Sequence, residues 1–208
     1  MGGAFAIYRR WELTLFLILI LFYVLFILMT LLVLRIIRLG LAVRRGIYSY
    51  DTKPWLFYFW NLHAFLCSTN LNLFYLNGLL PPILRRYFYQ LLGTKMKGGS
   101  ISVAGRIMDP YLVDIQGPAR IEDDALLMPH GYAVGSSDLL ILDQISLGKG
   151  VYIGARSTLM PGVVVGENSM IKPMSIVPMN TKIPPNEIWG GNPACKTADV
   201  DQPYQEAI

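Results

Sequence analysis

The chain has 208 residues, 53% of them hydrophobic and 15% charged, with 18 Lys or Arg against 14 Asp or Glu and a net charge of +4. Its mean hydropathy of +0.42 is high for a soluble domain, and the excess lies in the first third, so the length holds one globular domain plus a membrane segment. The basic residues flank apolar segments without any nucleic-acid-binding module, and the two cysteines, Cys67 and Cys195, make no disulfide framework or metal pattern, which fits a reducing compartment.

Residues 11–34 are almost wholly apolar, with Glu12 at the edge and Thr14 and Thr30 the other polar side chains. About 20 such residues cross a bilayer core as a helix, so this stretch reads as a transmembrane segment. It is too long for the apolar region of a secretory signal and no small-residue cleavage site follows. Myristoylation is not expected, because Ala6 stands where Ser or Thr is wanted. Arg9 and Arg10 precede the segment, whereas Arg35, Arg38, Arg44 and Arg45 follow it, and the positive-inside rule places the following flank in the cytoplasm.

Residues 55–84 are apolar again but interrupted by Asn61, His63, Ser68, Thr69, Asn70, Asn72 and Asn77, and Gly78, Pro81 and Pro82 break the run. Basic residues lie at both ends (Lys53, then Arg85, Arg86, Lys95 and Lys97), so the segment is expected to re-enter or to lie as interfacial helices, with a second full crossing as the alternative. His63 within it is a candidate for handling a lipid headgroup or acceptor, as ionisable groups in membrane segments are. Residues 83–93 read as an amphipathic helix.

From Ser100 onward a six-residue register begins, with Val103, Ile115, Ile121, Leu127 and Ala133 in one phase and Asp109 in the slot where an aliphatic residue is expected. Between Ala133 and Leu147 the phase slips by two residues, which predicts a loop bulging from a corner. Then Leu147, Ile153, Leu159, Val165, Ile171, Val177 and Ile183 recur at period six. Two positions before each stands Ile145, Val151, Ser157, Val163, Ser169, Ser175 or Thr181, small or Cβ-branched. Neither 3.6 nor 2 is the period, and hexapeptide repeats of this kind mark a β-solenoid whose coil takes 18 residues. Residues 100–189 make four to five coils, and Asn192-Pro193-Ala194 closes them. The expected organisation is residues 1–45 transmembrane helix and basic flank, 46–98 re-entrant or interfacial segment and linking helix, 99–195 β-helix, and 196–208 a polar tail.

The repeats, the entry Leu91-Leu92-Gly93-Thr94-Lys95-Met96-Lys97-Gly98, the runs Met108-Asp109-Pro110-Tyr111-Leu112-Val113-Asp114-Ile115 and Met128-Pro129-His130-Gly131-Tyr132, and the close Ile188-Trp189-Gly190-Gly191-Asn192-Pro193-Ala194 resemble hexapeptide-repeat acyltransferases. In particular they resemble a membrane-associated group similar to the C-terminal region of ε-polylysine-synthetase-like proteins and to various polysaccharide-modifying acetyltransferases. The resemblance implies an all-β, left-handed parallel β-helix behind an N-terminal α-helical membrane anchor. It also implies a homotrimer with acetyl-CoA or another acyl-CoA bound in the clefts between subunits.

His130, at the end of a repeat where the register breaks, is by this resemblance the general base that deprotonates an acceptor hydroxyl or amine. Asp114 and Asp143 are candidates to orient it, with Asp138 behind them. Gly154, Lys172 and Gly190 are 18 apart and share one corner, flanked by Ala155 and Gly191, as a strip for the pantetheine arm. Arg156, Lys172, Lys182 and Lys196 are candidates for the CoA phosphates. No nucleotide-binding glycine motif or nucleophile elbow is present, and two histidines are too few for a three-histidine zinc site, so no metal is expected. The expected function is transfer of an acyl group, acetyl first, to a lipid-linked sugar, glycolipid or polymer at the membrane, with the β-helix in the cytoplasm. The alternative is a non-catalytic structural or assembly subunit.

Overall fold

A computed structural model describes residues 2–40, 44–72, 81–133, 135 and 139–200, with the side chains of 2–10, 38–40 and 82 excepted. Helix α1 (Gly2–Gly40) is apolar over Trp11–Ile37, with mean hydropathy 3.2. Among the described residues it is the one helix long and apolar enough to cross a membrane. Most of its apolar side chains face outward, but Thr30, Leu34 and Ile37 near its C-terminal end are buried. There α1 packs on α2 (Pro54–Leu71), and the Thr30 hydroxyl donates to Asn70 Oδ1 at 3.1 Å. Strand β1 (Gly46–Ser49) lies between the two helices in sequence.

Helix α3 (Pro82–Leu92) starts on a proline at its first turn, where a missing N–H costs nothing, and ends at Gly93 with φ 113°, a left-handed cap that suits glycine. It is amphipathic as expected. Phe88, Tyr89 and Leu92 are buried in the core cluster that also holds the first coils, while Ile83, Leu84, Tyr87 and Leu91 face outward. Tyr89 ties it down: its hydroxyl accepts from Ile107 N at 3.1 Å and donates to Gly105 O.

The remainder winds as a parallel β-helix of three faces. One face stacks β2 (Lys95–Met96), β5 (Val113–Ile115), β10 (Ile145–Leu147), β13 (Val164–Val165) and β16 (Lys182–Ile183). The second stacks β3 (Ile101–Val103), β6 (Ala119–Ile121), β11 (Val151–Ile153), β14 (Met170–Ile171) and β17 (Glu187–Gly191). The third stacks β4 (Arg106–Ile107), β7 (Leu126–Leu127), β12 (Thr158–Leu159) and β15 (Ile176–Val177). Successive regular coils pair residues 18 apart, such as Tyr152 with Met170 and Thr158 with Ile176.

The period-six aliphatics fill the prism: Ile121, Leu147, Ile153, Leu159, Ile171 and Val177 are fully buried. The serines at the small positions are buried too, and corner carbonyls satisfy them. Ser157 Oγ donates to Gly154 O at 2.6 Å and Ser175 Oγ to Lys172 O at 2.7 Å, which removes the penalty of an unpaired hydroxyl. One corner stacks Gly150, Asn168 and Asn186, all at positive φ, where glycine and asparagine are tolerated. The Asn168 amide donates to Asn186 Oδ1 across the coils.

The register breaks earlier than the sequence spacing suggests. Ala133 is only half-buried and does not continue the inward row; the chain leaves the coil after Leu127, near Pro129. The excursion is a β-hairpin rather than a loose bulge: β8 (His130–Tyr132) pairs antiparallel with β9 (Leu139–Leu142), and β1 adds to the far edge of β9. Across this insertion β5 pairs with β10 and β7 with β12, Asp114 opposite Ser146 and Leu127 opposite Leu159, so the prism closes over it without a gap. At the other end, the expected polar tail from residue 196 starts inside a strand. β18 (Ala194–Asp199) folds back antiparallel on β17, because the edge of the last coil offers it a ladder. Residues 201–208 lie outside the described residues.

Candidate active site

His130 opens β8, at the point where the chain leaves the coil, and its side chain is largely covered. Its partner is Asp109, 21 positions earlier, whose Oδ2 is in short hydrogen-bond contact with His130 Nδ1. With a carboxylate as acceptor the ring proton belongs on Nδ1, which leaves Nε2 free to take a proton. Asp109 is buried, with φ 44°, at the start of a 3-10 turn (Pro110–Leu112). It occupies the slot in the six-residue register where an aliphatic side chain is missing, and that anomaly is the sequence signal for it.

The second oxygen of Asp109 is held from another part of the chain. Trp60 on α2 donates its indole N–H to Asp109 Oδ1 at 3.2 Å, and its ring meets His130 edge-on at a centroid distance of 5.1 Å. Trp60 itself is buried with Leu112, Leu140 and Leu142. One turn further along α2, His63 packs edge-on against Tyr111 at 4.8 Å and lies beside Cys67 Sγ. Burial first, and the neighbouring Asp109 charge second, push the Tyr111 hydroxyl far above its ordinary range, so it stays protonated. His63 is thus buried against the site from behind rather than set toward solvent.

The carboxylates singled out from sequence lie elsewhere. Asp114 is the central residue of β5, opposite Lys95 and Ser146 in the neighbouring strands, and its Oδ1 is buried without a hydrogen-bond partner. Asp143 follows the hairpin, where its Oδ1 accepts from Gln144 N at 2.7 Å. It lines a cavity of about 460 Å³ with Arg45, Ser146, Asn180 and Lys182. The carboxylate bonded to His130 Nδ1 is that of Asp109, although Asp143 lies close in the backbone, its N–H donating to Pro129 O at 2.9 Å. Asp138 lies outside the described residues.

Of the residues expected to meet CoA, Gly154, Lys172 and Gly190 do stack on one corner. A Cβ on Gly154 would lie 2.4 Å from Pro173 N, and one on Gly190 would lie 2.9 Å from the Lys172 stem. Ala155 and Arg156 continue this corner; the Ala155 carbonyl accepts from Met174 N, and Arg156 is exposed with Asp124 at 3.7 Å. Gly191, at φ 102°, donates its N–H to Ser175 Oγ. Lys182 stands apart, on the face with Asp143. Lys196 is bound by Glu187 at 2.9 Å and Asp199 at 2.6 Å within the terminal hairpin. Gly154 and Gly190 are both buried there, against Pro173 and the aliphatic stem of Lys172, and Arg156 is exposed two positions after Gly154. Among the described residues no cluster of His, Cys, Asp or Glu is arranged to hold a metal ion.

The bacterial transferase hexapeptide model, of six repeats, matches residues 145–178. No curated protein matches the chain. Among solved structures, a hexapeptide-repeat-containing acetyltransferase from Vibrio cholerae is 17% identical, with 59% of this chain and 83% of that one covered and a TM-score of 0.43. A galactoside acetyltransferase in complex with coenzyme A is 20% identical over 56% of this chain and 70% of that one, TM-score 0.44. A maltose O-acetyltransferase from Clostridium difficile is 18% identical over 76% and 94%, TM-score 0.49.

Proposed function

We propose that this chain is a membrane-anchored, CoA-dependent acyltransferase of the left-handed β-helix type. It moves an acyl group, acetyl first, to a hydroxyl or amine on a membrane-associated acceptor. The observation that carries this reading is the Asp109–His130 pair at the point where a hexapeptide-repeat coil is interrupted. A histidine with its Nδ1 committed to a buried carboxylate presents Nε2 as a base with a fixed tautomer, as general-base catalysis of acyl transfer needs.

In the reaction, Nε2 of His130 takes the proton of the acceptor hydroxyl or amine as its oxygen or nitrogen attacks the thioester carbonyl. The C–S bond then breaks, and the proton passes from the imidazolium to the departing CoA sulfur. Asp109 stabilises the imidazolium through its hydrogen bond with Nδ1. The donor lies along the Gly154–Lys172–Gly190 corner, with Arg156 and Lys172 toward its phosphates; Lys182 and Lys196 take no part in this. The chain assembles as a homotrimer, whose neighbouring subunit completes the donor cleft.

The membrane part follows from the exposed apolar span Trp11–Ile37. The basic residues after it support a β-helix on the cytoplasmic side, where acyl-CoA is made, and Trp60 on α2 packs against the proposed catalytic pair. The acceptor is accordingly a lipid-linked sugar, glycolipid or growing polymer, in keeping with the likeness to the membrane-associated ε-polylysine-synthetase-like group. The test is the full-length protein in detergent with CoA and acetyl-CoA. A rise in melting temperature is expected, because a ligand that binds only the folded state stabilises it. No rise at millimolar CoA would favour a structural subunit instead.

A further inference from the structure

Three regions stand outside the mechanism above: the cavity around Asp143 and Lys182, the outward apolar faces of α2 and α3, and the indole of Trp60. The cavity carries mixed charge and no buried side chain aimed into it. The apolar faces belong to the membrane reading already given. Trp60 is different, because its one polar atom is spent on the catalytic carboxylate.

We infer that Trp60 is a positioning residue for the Asp109–His130 pair, so that docking of α2 sets the geometry of the base. This rests on the assignment of His130 as the base. A carboxylate bound on one oxygen only is free to turn about its Cβ–Cγ bond. Here each oxygen has its own partner, the indole N–H on Oδ1 and the imidazole Nδ1 on Oδ2, so the group is clamped in one plane. The indole edge also walls one side of the His130 ring. The other titratable groups around the pair are Tyr111 on the 3-10 turn and His63 and Cys67 on α2. Oδ1 of Asp109 is bonded by the indole, while His63 packs against Tyr111 and lies beside Cys67.

The clamp comes from a helix that also binds the C-terminal end of the apolar span through Asn70 and Thr30. Displacing α2 withdraws the N–H from Asp109. The base is therefore set only while the membrane-proximal helices are seated.

The experiment uses the full-length chain in detergent micelles, labelled with 15N-histidine; its two histidines are told apart by His130→Ala. The wild-type protein is expected to show His130 as the Nδ1–H tautomer. Trp60→Phe, which keeps a ring and removes the donor, should give a mixture of tautomers. A benzothienyl isostere of tryptophan at position 60, which removes only the N–H, should do the same without altering shape. In an Asp109→Asn background neither change should move the His130 signals further, since the path through Asp109 is already cut.

In thiol release from acetyl-CoA, Trp60→Phe should lose about tenfold in kcat with KM for the donor unchanged, the rate equivalent of ~1.4 kcal/mol. A wild-type His130 spectrum in the folded isostere overturns the inference. Full turnover in His130→Ala would instead overturn the assignment of the base, leaving the spectroscopic link intact, so the two failures are distinguishable.

Discussion

Asp109 and His130 are separated by 21 residues, and their side chains meet because one leaves the inward row of a coil and the other begins the hairpin that interrupts the coil above it. The β-helix is the frame, and under the proposed mechanism the two departures from its regularity supply the chemistry. Replacing His130 with Ala should lower turnover about 10²- to 10⁴-fold, the usual contribution of a positioned general base. Asp109→Asn should cost about 10- to 100-fold, since a hydrogen bond to a charged group is worth ~1.5–3 kcal/mol. Asp143→Asn and Asp114→Asn should stay close to wild type in the same thiol-release assay. A large loss in either would return the orienting role to the carboxylates first suspected.

The stacked corner makes a sharp steric prediction. A Cβ on Gly154 would sit 2.4 Å from the backbone nitrogen of Pro173, whereas one on Gly131 would press on the flexible tip of Met179 at 2.5 Å and otherwise meet Pro161 in ordinary contact at 3.5 Å. Gly154→Ala should therefore destabilise the protein by about 1–3 kcal/mol, as overpacking does. Gly131→Ala should be tolerated. Denaturant midpoints of the two variants side by side decide it, and equal midpoints would refute the stacking.

Ile153 lies in the middle of the prism, fully buried between the rows of Ile121 and Ile171. Ile153→Ala should cost about 2–5 kcal/mol through lost transfer energy and the cavity left behind. Val164, 39% exposed on the outer face, should accept Thr within about 0.5 kcal/mol. Thermal melts of both variants test whether the aliphatic row and the outer row divide as described.

The terminal hairpin should be pH-sensitive at both ends of the range. Lys196 first, and the Trp189 indole second, hold the Glu187 carboxyl below its ordinary 4.5. A lowered folded value contributes stability above the unfolded value and loses it as pH falls through the folded one. Hydrogen bonds that Lys196 donates to the Asp199 and Glu187 carboxylates raise its pKa above the ordinary 10.5, so its contribution is present below that value and fades as pH rises through the folded one. Amide exchange in β18 should accelerate in acid below the glutamate range and in strong alkali. Lys196→Met should flatten both limbs. Retention of the acid limb in that variant would show that the ion cluster is not its source.

Topology can be read from the two thiols, since Cys195 is exposed in the terminal hairpin and Cys67 is buried on α2. A membrane-impermeant maleimide should label Cys195 in inside-out vesicles and leave it unlabelled in intact cells, with Cys67 silent until the protein is denatured. Labelling in intact cells would reverse the orientation argued from the flanking arginines.

The coil was legible from residue order alone. A period of six with small or branched residues two positions earlier can be satisfied by few backbones, and the burial of Leu147, Ile153 and Leu159 follows directly from their spacing. The amphipathic entry helix and the apolar span were legible for the same reason: each is a local pattern, whereas His130 was singled out by its place at the break and by the family resemblance. The partner of His130 was not. Asp109 stood out in the sequence only as a misfit in the inward row, and the carboxylates offered to orient the histidine were Asp114 and Asp143, with Asp138 behind them. Only the path of the chain through the corner separates them.

Trp60 was readable in the sequence only as an aromatic residue in an apolar run. Its role depends on α2 packing against a turn 49 positions later, a long-range contact that no local periodicity encodes. The chain order thus determined the scaffold, because a solenoid is built from neighbour-to-neighbour repetition. The tertiary structure alone decided the site, because a carboxylate, an imidazole and an indole from three separate segments converge only once the helices close against the break in the coils.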